Sequence, residues 1–190
     1  MRGRRERAAP RGRRPARSGR SRQSAPRQTP ARPGTSAVVE GRPAPDFVLT
    51  DAHGAEVRLA DFRGRDLVVY FYPRDGTPGC TREACGFRDL WPAFQRAGVA
   101  VVGISPDSPA SHAKFAAAHG LPFPLLSDPE HAVMARWGAW GPKTLYGRTT
   151  MGVIRSTVWV GPDGIVRRRW PRVTDAARHP AEVLEAIRGR

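Results

Sequence analysis

A chain of 190 residues is long enough for one sizeable domain, and 39% hydrophobic residues provide for a core. The net charge of +15 first suggests a nucleic-acid partner, but it is unevenly spread: residues 1–36 carry a net +11, with twelve Arg against Glu6, and the other 154 residues net only +4. No apolar run approaches the ~18–20 residues of a membrane helix, and no signal-peptide core follows the first arginines, so neither a helical membrane protein nor an exported one is expected.

Residues 1–36 contain no Leu, Ile, Val or aromatic side chain. Such a segment cannot bury enough apolar surface to offset its ordering entropy, so a disordered tail over 1–36 is expected, with a domain over 37–190. The chain has thirty Arg and two Lys, a pattern of codon bias that weakens arginine content as a functional signal. The tail therefore reads first as a solvated extension, or as a start placed too early. Contact with nucleic acid, independent of sequence and sensitive to salt, is a second reading. A transit peptide is a third, against which Pro10, Pro15, Pro26, Pro30 and Pro33 count.

From Val38 the pattern becomes that of a folded domain. APDFVLTDAHGAEVRLADF predicts two short strands around the turn DAHG. DLVVYFYP (66–73) is the continuous apolar run of a strand covered on both faces. A helix is predicted over 80–97, with Leu90, Phe94 and Ala97 on one side, then a buried strand at AVVGIS (100–105). The next helix has Ser108 as N-cap, Pro109 at its first position and Gly120 as its stop. LPFPLLSD (121–128) predicts a short strand and PEHAVMARWG (129–138) a short helix. IRSTVWV and IVRRRW flank GPDG as a hairpin, and a last helix starts at Pro180. Alternating strands and helices predict an α/β domain with a mixed central sheet flanked by helices.

Both cysteines lie in PRDGTPGCTREACGFRD (73–89), five positions apart. A metal site, a structural disulfide, two inert thiols and redox chemistry all compete for them. Zinc wants about four ligands at short spacing, and His53, His112, His119, His131 and His179 are scattered. On one helix the two Cα atoms would be about 8–9 Å apart, beyond the ~7 Å reach of a disulfide, so pairing requires the helix to unwind. Cys80 follows Thr77-Pro78-Gly79 and should sit in a first helical turn, where free N–H groups and the dipole favour a thiolate. Cys85, further in, gains little. The asymmetry points to Cys80 as attacking nucleophile and Cys85 as the thiol that resolves it, with two inert buried thiols as the alternative.

Pro73, Thr77 and Cys80 fit P-x-x-x-T-x-x-C, the pattern of the peroxiredoxins. The run YFYPRDGTPGCTREACGFRD resembles the bacterioferritin comigratory protein subfamily, also called peroxiredoxin Q. The likeness extends through VVGISPDS, FPLLSD and WGAWGPKTLYGRTTMGVIRSTVWVGPDG, over roughly residues 38–189. It implies a thioredoxin-like fold and a thiol peroxidase that needs no metal, haem or other cofactor. It further implies that Cys80 is the peroxidatic cysteine and becomes a sulfenic acid, and that Cys85 resolves it in an intramolecular disulfide after local unfolding, reduced by thioredoxin. Thr77 would hydrogen-bond thiolate and substrate, Pro73 would shield the pocket, and Arg155 would stabilise the thiolate and polarise the peroxide. Glu83, one turn after Cys80, is a candidate support for Arg155, or an ordinary exposed carboxylate.

Trp137, Trp140, Tyr146 and Met134 are expected to pack the core or the pocket rim. The stretch RRRWPRV (167–173) reads as a solvated strand end. No dinucleotide or P-loop pattern is present. The expected substrates are hydrogen peroxide and organic hydroperoxides, the expected reductant thioredoxin or a similar dithiol, the expected state a monomer and the expected location the cytoplasm. Two other functions stay open: a nucleic-acid-associated protein anchored by its basic tail, and a thiol redox relay or sensor.

Overall fold

The structure, a computed structural model, describes residues 38–145 and 148–190. The expected tail over 1–36 and Tyr146 lie outside these. Strands β1 (Val48–Asp51) and β2 (Glu56–Arg58) pair antiparallel, as the alternating pattern predicts. Between them Asp51 accepts the N–H groups of His53 and Ala55, at 2.8 and 2.9 Å, and Gly54 turns the chain with φ +83°. A single 3-10 turn, Leu59–Phe62, leads into β3 (Asp66–Phe71), whose six residues are all buried. Burial on both faces explains its unbroken apolar run.

The helix predicted over 80–97 is two helices. Helix α1 (Pro78–Asp89) ends at Leu90, and α2 (Trp91–Arg96) starts again with Pro92 in its first turn. Proline lacks the N–H that a continuous helix would need there and crowds the preceding turn. Strand β4 (Val99–Ser105) follows, then α3 (Pro109–His119). As its sequence predicts, α3 is capped by Ser108, which accepts the Ser111 N–H at 3.3 Å, and is ended by Gly120 at φ +57°. Strand β5 is only Leu125–Ser127, because Pro122 and Pro124 cannot donate to a ladder. Helix α4 is only Ala132–Arg136, entered through His131 at φ +56°.

A hairpin that the sequence pattern did not reveal comes next, β6 (Trp140–Leu145) against β7 (Arg148–Val153). It forms a separate two-stranded ribbon. Strands β8 (Ser156–Val160) and β9 (Val166–Trp170) pair as GPDG predicts, and α5 (His179–Arg188) closes the chain.

The main sheet runs β2-β1-β5-β4-β3-β8-β9, with β5, β4 and β3 parallel and their outer neighbours antiparallel. Alternation along β3 divides the core. Leu67, Val69 and Phe71 join a cluster with Phe47, Met134 and Trp137, while Val68, Tyr70 and Tyr72 join one with Cys80, Phe87, Phe94, Phe115 and Leu184. The larger helices α1, α2, α3 and α5 thus contribute to one face, and the short α4 to the other. Trp137 and Met134 are core residues as expected, and Trp140 is partly buried, stacked on His131.

Gly103 on β4 lies directly beneath the Tyr70 ring. A Cβ there would stand 2.7 Å from Tyr70 Cζ and Oη and 2.8 Å from Leu125 Cδ2. Gly103→Ala is therefore expected to lower stability by about 1–3 kcal/mol, read as a lower urea midpoint at unchanged slope.

Candidate active site

The site is built where β3 ends. The chain leaves the sheet through Tyr72 and Pro73, turns at Gly76 with φ +69°, and enters α1 at Thr77, whose extended backbone (φ −74°, ψ 147°) is that of an N-cap. Pro78 takes the first helical position, so Cys80 is the third residue of α1. The N–H groups of that turn have no helical partners and present their positive end. Cys80 is 1% exposed and Cys85 half-buried, and both are free thiols.

Arg155 reaches this turn from the far side of the sequence. Ser156 pairs with Phe71, the last residue of β3, so Arg155 stands one step beyond the sheet beside the start of the loop between β3 and α1. Its backbone is held on both sides. Ile154 N–H donates to Ala139 O at 2.7 Å, and Val173 N–H donates to Arg155 O at 2.8 Å. The guanidinium then forks: Nη2 donates to Cys80 Sγ at 3.0 Å, and Nη1 donates to Glu83 Oε2. Gly79 lies against the fork, with Nη2 at 3.5 Å from where a Cβ would be.

Glu83 is fully buried, not the exposed helix carboxylate of the alternative reading. Burial pushes its carboxyl up to about 7, against the opposing pull of Arg155. Its second oxygen, Oε1, has no hydrogen-bond partner among the described residues, and neither has the buried Tyr70 hydroxyl. Burial first, then the nearby Glu83, Asp75 and Cys80, hold Tyr70 well above the ordinary tyrosine range, so it stays neutral. His179 is pushed down to about 4, by burial and then by the Arg155 charge, and its Nε2 lies 2.8 Å from Thr157 Oγ1. Lys143 on β6 is held below its usual value by burial, and next by repulsion from Arg155 and Arg172. Arg155 in contact, and Lys143 through its charge, thus both bear on the buried Cys80 sulfur.

A buried thiol at a helix start, facing a guanidinium, is suited to nucleophilic attack by a sulfur anion, because both positive groups are in place before charge develops. The family model that matches the chain, over residues 40–169, is that of the AhpC/TSA family. This chain belongs to the AhpC/TSA family.

Peroxiredoxin Bcp of Bacillus subtilis is 41% identical over 148 residues, 78% of this chain and 94% of its own. The Mycobacterium tuberculosis chain Rv2521 is 55% identical over 130 residues, 68% of this chain and 83% of its own. Among solved structures, the bacterioferritin comigratory protein of Xanthomonas campestris superposes with a TM-score of 0.71 at 38% identity, covering 75% of this chain and 90% of the other. The fold is accordingly thioredoxin-like, and the chain is a peroxiredoxin of the bacterioferritin comigratory type, a thiol peroxidase.

In this peroxiredoxin Arg155 contacts both Cys80 and Glu83, and Pro73 and Thr77 belong to the loop that leads into α1, half-buried. Thr77 differs from expectation. Its hydroxyl proton goes to Arg74 O at 3.2 Å and makes no bond to Cys80, so this Oγ1 offers only lone pairs to a substrate. Cys85 lies on the same helix as Cys80, five residues on, and is apart from the fork. Sequence reasoning missed Tyr70, because a tyrosine in an apolar strand reads as core. It also missed Lys143, whose signal was being one of two lysines among thirty arginines.

The raised Glu83 carboxyl has a signed consequence. Folded protein keeps that proton up to about pH 7, whereas an unfolded glutamate releases it near pH ~4.3, so the stability it contributes is full below the lower value and is lost as pH rises through the upper one. In a Cys80→Ser background, which removes the thiol, Glu83→Gln should gain stability relative to its parent between about pH 5 and about pH 8. Urea titrations at both pH values read the difference, and an unchanged gap would mean that the carboxylate is ionised throughout.

Proposed function

We propose that this peroxiredoxin reduces hydrogen peroxide and organic hydroperoxides at Cys80, forms an intramolecular disulfide with Cys85, and is returned to the dithiol by thioredoxin or a similar dithiol protein. The observation that carries the reading is the 3.0 Å approach of Arg155 Nη2 to Cys80 Sγ, on a helix that also holds the second thiol.

In the first step the Cys80 sulfur anion attacks the terminal oxygen of the peroxide. The S–O bond forms as the O–O bond breaks, sulfur loses two electrons, and the departing oxygen takes a proton to become water or an alcohol. Arg155 and the N–H groups of the first turn of α1 stabilise the negative charge as it moves from sulfur to oxygen. Thr77 accepts the peroxide O–H, with its own proton committed to Arg74 O, and Pro73 narrows access for water. Glu83 holds the second arm of Arg155 and so aims the first.

In the second step the Cys85 thiol attacks the sulfenic sulfur, and water leaves. An intact α1 keeps the two cysteines too far apart for this, so its first turns must unwind. Thiol exchange with an external dithiol then restores both thiols. Attack and resolution within one chain make a monomer sufficient. The need for a reduced dithiol fits the cytoplasm, and no helix among the described residues is long and apolar enough to cross a membrane.

Intact-mass measurement after one equivalent of hydrogen peroxide tests this cycle. The reduced protein is expected to lose two hydrogens, Cys85→Ser to gain one oxygen, with a second added as sulfinic acid once a second equivalent of peroxide is supplied, and Cys80→Ser to stay unchanged. Arg155→Met should lower kcat/KM for peroxide by about 10²–10³-fold. A parent chain whose mass does not change rapidly would sink the reading.

A further inference from the structure

We propose that Asp75 is a positioning residue: it clamps the loop between β3 and α1 onto α3, and so sets how readily residues 78–85 leave the helical form. The proposal rests on the reading that Cys80 and Cys85 join only when α1 unwinds. In that step an S–S bond replaces the S–O bond of the Cys80 sulfenic acid, and the hydroxyl leaves with the Cys85 proton as water.

The clamp gathers three elements on one residue, Asp75, five residues before Cys80: the carboxylate ties the end of β3 and α3, and the backbone N–H ties the end of β4. Tyr72, just beyond β3, donates its hydroxyl to Asp75 Oδ1 at 2.8 Å. From α3, Ser111 Oγ donates to Oδ2 at 2.8 Å and His112 Nδ1 donates to the same oxygen at 2.9 Å. The Asp75 N–H donates to Asp107 Oδ2 at 2.8 Å, an oxygen that also accepts Ser105 Oγ, at the end of β4, at 2.7 Å. The Asp75 and His112 side chains are 7% and 0% exposed. Charged hydrogen bonds in such surroundings are the strong ones and are costly to leave unmade.

Immediately downstream the structure is built for release. Gly76 sits at φ +69°, a pivot that other residues resist. The first turn of α1 has no side-chain cap, since the Thr77 hydroxyl bonds Arg74 O. Gly79 and Gly86 lie within the helix, where glycine is a poor former. In contrast, α3 is capped by Ser108 and stopped by Gly120. Opening of α1 therefore starts beyond Asp75, and the clamp marks where it stops.

Amide hydrogen exchange of the reduced full chain tests this before any disulfide is formed. In Asp75→Asn, the helix-bonded amides of residues 81–85 should exchange about ten- to hundredfold faster, with β4 unchanged. Ser111→Ala removes one bond from a half-buried hydroxyl and should give a several-fold effect in the same segment, which covers the case of a poorly folding Asp75→Asn. Single-turnover mass measurements should then show a higher ratio of disulfide formation to sulfenic acid formation in both variants. Exchange that is unchanged over 81–85, or raised equally across β4, would overturn the clamp, because a merely structural residue loosens both. A parent chain that forms no Cys80–Cys85 disulfide would refute the proposed cycle, while the exchange data would still decide the clamp.

Discussion

The Arg155 guanidinium, forked between the sulfur of Cys80 and the carboxylate of Glu83, is the contact around which the site is organised. Burying an ion pair is expensive, and here the expense is visible: Glu83 rises to about 7 and keeps one oxygen without a partner among the described residues. An apolar filling of the same space would cost less and would leave the sulfur facing hydrocarbon. The pair makes sense as a means of holding a cation at one sulfur atom. It works because Arg155 itself cannot drift. Its neighbour Ser156 is in register with Phe71, and its carbonyl is bonded by Val173. The position of the charge is thus inherited from the sheet.

Rigidity and release are divided along the chain. Strands β3 and β4 are buried along their whole length, and Gly103 admits the Tyr70 ring so closely that even a methyl group would collide. Helix α1 has the opposite character: glycines at 79 and 86, no side-chain cap, and a proline that shapes the entry without donating a hydrogen bond. Local stability follows such differences, and segments that move are drawn from the weaker end. The proposed cycle, in which Cys80 faces an arginine in one state and another cysteine in the next, would draw on such a helix. The network around Asp75 stands at the border between the two regimes.

Much of the fold was legible because its signals are local. The alternation around DAHG, the apolar run of β3, the Ser108 and Gly120 limits of α3 and the GPDG hairpin each depend on residues close in sequence, and each stands where it was expected. The failures have local causes as well. Pro92 divides the helix predicted over 80–97, and the prolines at 122 and 124 shorten β5. The β6–β7 ribbon escaped notice because Gly141, Pro142 and Gly152 interrupt its alternation. Its pairing is decided by cross-strand register, which no single segment displays.

By itself, the sequence determined the chemistry on offer: two thiols at a spacing that forbids a disulfide within an intact helix, the first of them at a helix start behind Thr77-Pro78-Gly79. These are properties of neighbouring residues and of helical geometry. Resemblance singled out Arg155 among thirty arginines, and tertiary structure brought it to the sulfur; tertiary structure alone decided that Glu83 is buried and not exposed, that the Thr77 proton is spent on Arg74 O, and that Asp75 is tied to α3. Each of those outcomes needs parts of the chain brought together by the sheet, or a choice among competing hydrogen-bond acceptors made only once the chain has folded. Such choices depend on distance and burial, and neither is written in the order of the residues.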